Sequence, residues 1–129
     1  MPWCLFRKKN RWESDPCFVY YDFNAPEEVP DKLKGQFDMV VIDPPFITRE
    51  VWEKYQQTAY ILAKDKASLK VLNSTVQENN EMMKDLFGGE MQAEKFQPSI
   101  PHLVYQYNFF CNFKPEALSV WNSEIPEDY

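Results

Sequence analysis

The feature that most constrains this chain is a strand-like run that ends abruptly. Residues 37–42 (FDMVVI) are almost continuously apolar, and the next four are Asp43-Pro44-Pro45-Phe46. An apolar run of that length predicts a strand covered on both faces, as in a parallel sheet. Two consecutive prolines fix φ twice and remove two N–H donors, so neither a helix nor a ladder continues through them. A rigid turn at the carboxyl end of a buried strand follows, and in open α/β sheets ligands gather beyond that end. There the Asp43 carboxylate and the Pro44 carbonyl can converge on one amine, with Pro45 completing the rigid turn. Phe46 offers a π face to a planar base or to a cation. The plainer alternative is a proline turn with a solvated Asp43 and a packed Phe46. The strand before the turn and the capped helix after it favour a site.

The rest of the chain predicts alternating elements. Residues 17–21 (CFVYY) follow Pro16 and read as a strand closed by Asp22-Phe23-Asn24, a second strand end that begins with a carboxylate. Residues 24–35 form a connection with at most one helical turn. Thr48 is placed to cap a helix, and Val51, Trp52, Tyr55, Ala59 and Leu62 share one face of about four turns. A short strand over 69–72 follows. Ser74 or Thr75, with Gln77 or Glu78 three positions on, predicts a capping box for a helix that turns Val76, Met83, Leu86 and Phe87 inward and stops at Gly88-Gly89. Over 104–113, Tyr105, Tyr107, Phe109, Cys111 and Phe113 alternate with Gln106 and Asn108, the pattern of an antiparallel strand with one wet face. This order predicts an α/β sheet of the doubly wound kind, although no Gly-rich strand-to-helix turn is present. Residues 1–16 read as a poorly specified leader and residues 17–129 as part of one domain.

Charge and cysteine usage narrow the function. Fourteen basic against 20 acidic side chains give a net charge of -6, which opposes binding to a nucleic-acid backbone. Cys4, Cys17 and Cys111 lack metal-ligand spacing and predict neither a disulfide framework nor a metal site, in keeping with a reducing compartment. No apolar run approaches the roughly 20 residues of a membrane span, and no signal peptide is recognisable, so a soluble, cytoplasmic protein is expected. His102, the single histidine, sits in a proline-rich loop and reads as a surface residue rather than a catalytic base.

The stretch FVYYDFNAPEEVPDKLKGQFDMVVIDPPF resembles the class I methyltransferases of the N6-adenine type, whose signature is (Asp/Asn)-Pro-Pro-(Tyr/Phe/Trp). It is most similar to the eukaryotic branch regarded as lysine methyltransferases of elongation factor 1-alpha, and the resemblance runs from about Arg11 to about Phe113. It implies a Rossmann-like class I methyltransferase sheet, present here as the C-terminal portion, that binds S-adenosylmethionine over its strand ends. It also implies that Asp43 and the Pro44 carbonyl accept from the target amine. Phe46 then holds the substrate group, and Asp22, Phe23 and Asn24 contact the cofactor adenine, Asp22 accepting from its amino group. MPWCLFRKK matches no part of the family on this reading, so the first strand, the loop at the methionine end of the cofactor and the ribose carboxylate are expected to be missing. A chain lacking them is expected to bind the cofactor weakly. The acidic balance favours a lysine on a basic protein over a flipped adenine as the target, with a non-catalytic fragment as the third alternative. Oligomeric state is left open.

Overall fold

A computed structural model describes residues 4–6, 16–44, 47–99 and 105–125. Its elements are β1 (Cys4–Phe6), β2 (Phe18–Tyr20), β3 (Met39–Ile42), α1 (Arg49–Leu62), β4 (Lys70–Val76), α2 (Asn80–Phe87), β5 (Gln92–Ala93) and β6 (Tyr107–Cys111). The strands form a four-stranded mixed sheet in the order β3-β4-β6-β5 and a separate two-stranded parallel pair, β1-β2. β1 lies within the stretch expected to be an unspecified leader, and its three residues pair with Phe18, Val19 and Tyr20.

The crossover β3-α1-β4 builds the parallel half of the larger sheet. Two parallel neighbours cannot be joined by a tight turn, so a helix must carry the chain back. The start of β3 is stitched to the end of that helix: the amides of Gln36 and Phe37 both donate to the Leu62 carbonyl, at 3.0 and 2.9 Å, and Lys64 donates to Phe37 at 2.8 Å. From there β3 pairs with β4 in the register Met39↔Lys70 to Ile42↔Asn73.

The predicted helix over the Thr48 segment is found as α1, with Val51, Trp52, Ala59 and Leu62 buried along one face. Trp52 is fully enclosed at 0% exposure, packed edge-on against Phe87 of α2 with ring centroids 6.0 Å apart. Around it gather Ile42, Val71, Met83, Leu86, Met91 and Phe110, the main core between sheet and helices. A second cluster of Tyr21, Val29, Leu33 and Leu62 seats the end of β2 on the other flank of α1.

Several expectations are corrected. β3 is not covered on both faces: Val41 is 66% exposed and Met39 is also exposed, since among the described residues the sheet face they point to is left open, while Val40 and Ile42 turn to the core. The capping box at Ser74 and Thr75 does not form. Antiparallel pairing with β6, from Leu72↔Cys111 to Val76↔Tyr107, holds both residues in a strand that reaches Val76, and a 3-10 turn over Gln77–Asn79 precedes α2. In β6 the predicted alternation holds only in part, since Asn108, Phe110 and Cys111 are buried while Tyr107 and Phe109 are half-buried. The connection after β2 holds two short 3-10 turns, Pro26–Glu28 and Asp31–Leu33, rather than one. α2 ends as expected at Gly88, whose φ of 108 suits a residue without a Cβ and whose amide donates to the Lys84 carbonyl at 3.0 Å.

Removing the Trp52 ring empties the junction of α1, α2 and the sheet. Trp52→Ala is therefore expected to destabilise the fold by about 3–5 kcal/mol, whereas Val41→Thr, on an open face, shifts stability by less than about 0.5 kcal/mol. Urea denaturation of the two variants checks the contrast.

Candidate functional site

Two strand ends carry the carboxylates singled out in the sequence. Asp43 stands exposed immediately after β3 and Pro44 beside it is buried, so the acid faces solvent on a packed neighbour. Pro45 and Phe46 lie outside the described residues, as does His102. The chain is described again at Ile47, and its carbonyl accepts from Asn79 Nδ2 at 2.9 Å; the same amide nitrogen donates to Thr75 Oγ1, also at 2.9 Å. Entry and exit of the Asp43 turn are thus both referred to β4, the entry through Ile42↔Asn73 and the exit through Asn79 and Thr75.

Asp22 follows β2 in a self-closed turn. Its Oδ1 accepts the Asn24 amide at 2.9 Å and its carbonyl accepts the Ala25 amide at 3.0 Å. Asp22 is half-buried and Asn24 exposed. Phe23 stacks on Tyr55 of α1, centroids 5.8 Å apart and planes 18° from parallel. Next to this turn, Tyr21 Oη lies 2.6 Å from Thr58 Oγ1, and Thr58 Oγ1 donates in turn to the Lys54 carbonyl at 3.2 Å. Burial pushes the Tyr21 phenol up to about 12, with the Thr58 hydrogen bond acting in the opposite direction.

The same helix supports both strand ends. The Asp43 turn feeds into the first turn of α1, where Arg49 reaches Glu53 at 3.2 Å and Asp85 of α2 at 3.5 Å. The Asp22 turn rests on Tyr55 and Thr58, two turns further along. These ion pairs are solvent-exposed and fasten α1 to α2 only weakly.

A cavity of about 240 Å³ lies elsewhere, lined by Glu90, Gln92, Cys111, Asn112, Phe113 and Lys114. It sits toward the N-terminal end of β4, where Asn112 bonds the Val71 amide at 2.8 Å and the Leu69 carbonyl at 2.7 Å. Cys111 at its wall is held as a neutral thiol: burial and the nearby Glu94 push its pKa up to about 12. Among the described residues no group of three or more His, Cys, Asp or Glu side chains could hold a metal ion, and no helix is long and apolar enough to cross a membrane.

Asn79 is the functional candidate that pattern reading missed. The capping-box match at Ser74 and Thr75 drew the helix start too early; the signal available was the Asn79-Asn80 pair just ahead of Met82 and Met83, since Asn is a favoured helix N-cap.

β3, α1 and β4 form a parallel β-α-β unit whose first strand is followed in the sequence by Asp-Pro-Pro-Phe, and comparison with known proteins identifies the family. The chain belongs to the family described as "Probable N6-adenine methyltransferase", whose sequence profile matches residues 1–115. The match begins at residue 1, so the expectation that MPWCLFRKK matches no part of the family is corrected. Among curated relatives, the chain is 36% identical over 110 residues to a protein-lysine N-methyltransferase of Dictyostelium discoideum, covering 83% of this chain and 50% of that protein. It is 31% identical over 104 residues to EEF1A lysine methyltransferase 1 of Danio rerio, covering 79% of this chain and 59% of that protein. A protein-lysine N-methyltransferase of Caenorhabditis elegans matches at 29% over 100 residues, 75% of this chain and 43% of that protein. The chain spans about half the length of these relatives. No solved structure matches it.

The Tyr21 environment yields a pH signature. A phenol raised from 10.0 to about 12 contributes stability that is fully present below pH 10 and is lost as the pH rises through 12. Wild-type protein is therefore expected to lose on the order of 2 kcal/mol across that window from this group alone. Tyr21→Phe removes that part of the slope, which denaturant titrations at several alkaline pH values would measure.

Proposed function

We propose that the protein is an S-adenosylmethionine-dependent protein-lysine N-methyltransferase whose substrate is elongation factor 1-alpha, acting in the cytoplasm. On this reading residues 17–129 form part of a single, Rossmann-like methyltransferase domain. The observation that carries it is the exposed Asp43 next to the buried Pro44 at the end of β3, in a chain whose family and relatives are methyltransferases.

The chemistry follows from the donor set. A lysine ammonium, with an ordinary pKa of about 10.4, must lose a proton, which passes to solvent at the exposed Asp43, before its lone pair can attack. Asp43 and the Pro44 carbonyl accept from the nitrogen and orient it, and Phe46 walls the cation by its π face. At the other strand end the Asp22 carboxylate is the acceptor for the adenine amino group of the cofactor. Its Oδ1 is held by Asn24, and Oδ2 makes no hydrogen bond among the described residues, so the carboxylate fits that role. Phe23 and Asn24 line the same turn. When bound, S-adenosylmethionine supplies the electrophilic methyl group.

The family description names adenine while the relatives' names specify protein lysine, and the net charge of -6 favours the lysine. A full-length protein incubated with methyl-labelled cofactor is expected to label a lysine of elongation factor 1-alpha and to leave adenine in duplex DNA unlabelled. Label in adenine alone would overturn the reading. Within it, Phe46→Trp is expected to retain activity and Phe46→Ala to lose about tenfold in kcat/KM, the worth of one desolvated cation-π contact.

A further inference from the structure

Asn79 occupies the N-cap position of α2, where an Asn side chain ordinarily accepts from the first-turn amides and contributes about 1 kcal/mol to the helix. No such bond is made here. The side-chain amide turns away from the helix and donates instead to the Ile47 carbonyl and to Thr75 Oγ1, each at 2.9 Å. A residue that forgoes its favoured local bond for a longer-range one breaks a local rule, and such breaks concentrate at functional sites.

Its two acceptors are of different kinds. Thr75 is buried in β4 and fixed opposite Asn108 of β6, so it is a rigid anchor. Ile47 is the first residue after Asp43-Pro44-Pro45-Phe46, and Thr48 beyond it accepts from the Trp52 amide at 3.1 Å to open α1. Asn79 therefore ties the far side of the amine-accepting turn to the strand that already registers its near side through Ile42↔Asn73.

We propose that Asn79 is a positioning residue that holds the Asp43 turn in reactive geometry; this rests on the reading of Asp43 as the amine acceptor. Transfer to a nitrogen is sensitive to alignment, and a shift of about 1 Å in the acceptor costs up to about a hundredfold in rate.

Asn79→Asp and Asn79→Ser, made in the full-length protein, separate this role from helix support. Both residues cap helices as well as Asn does. Neither can make the Ile47 bond, because Asp accepts only and Ser is too short. The expected result is a fall in kcat of about tenfold or more, KM for the protein substrate within about twofold, and a melting temperature unchanged or raised. Exchange protection of the Trp52 amide falls while the α2 amides keep theirs. A kcat within about twofold of wild type, or a loss of kcat that parallels a loss of melting temperature, overturns the proposal. If the wild-type protein methylates no lysine, it is the functional reading that fails. The exchange readout then still decides the clamp: unchanged Trp52 protection in both variants would show that Asn79 holds nothing in place.

Discussion

The structure depends on the pairing of β4. This strand is hydrogen-bonded along both sides, parallel to β3 and antiparallel to β6, and joins the parallel half of the sheet to the antiparallel half, so its register decides where β3 and β6 end. Val71, Asn73 and Thr75 turn one face of it to the helices, and their burial leaves little freedom to slide. A slip of one residue would put Leu72 and Ser74 against Trp52 and Met83 and turn Asn73 out, so the packing enforces the register. Because Ile42 is opposite Asn73, Asp43 leaves the sheet beside the stretch of β4 that continues to Val76.

α1 converts that register into a site. Its buried stripe, centred on Trp52, makes it a fixed strut between the four-stranded sheet and the β1-β2 pair, while Tyr55 and Thr58 on its flank receive Phe23 and Tyr21. The Asp22 and Asp43 turns belong to different sheets, and the helix between them is what relates one to the other. Interiors packed this closely transmit small displacements rather than absorb them, so a shift in the core of α1 is carried to both turns.

How much of this was legible varies with the kind of signal. α1 was readable because a 14-residue helix repeats its apolar spacing often enough to be unambiguous, and the end of β3 before Asp43 because prolines stop a strand locally. The exposed face of β3 was not readable. Val40, Val41 and Ile42 look alike as residues, and only the folded chain reveals that among the described residues the face carrying Met39 and Val41 is left open. Ser74 and Thr75 misled for a related reason: they satisfy a local capping pattern, but ladder bonds to Phe109 and Asn108 outweigh it. In β6 the wet face was misassigned, because Asn108 is buried opposite Thr75 while the aromatic Tyr107 and Phe109 are only partly covered, and of the predicted apolar face within the strand Cys111 alone is buried. Asn79 was hidden most thoroughly, since its role comes from contacts with residues 4 and 32 positions away.

The central claim is that the carboxylate ending β3 accepts from the methylated nitrogen. Asp43→Asn in the full-length protein tests it most directly, because the amide preserves size and the exposed position adds no packing cost. Single-turnover methyl transfer to elongation factor 1-alpha, at saturating cofactor, is expected to slow by about a hundredfold or more, within the range that positioned acid-base groups contribute. Thermal unfolding is expected to stay unchanged. Transfer at the wild-type rate by a folded Asp43→Asn protein would contradict the account and return the Asp-Pro-Pro turn to a purely structural role.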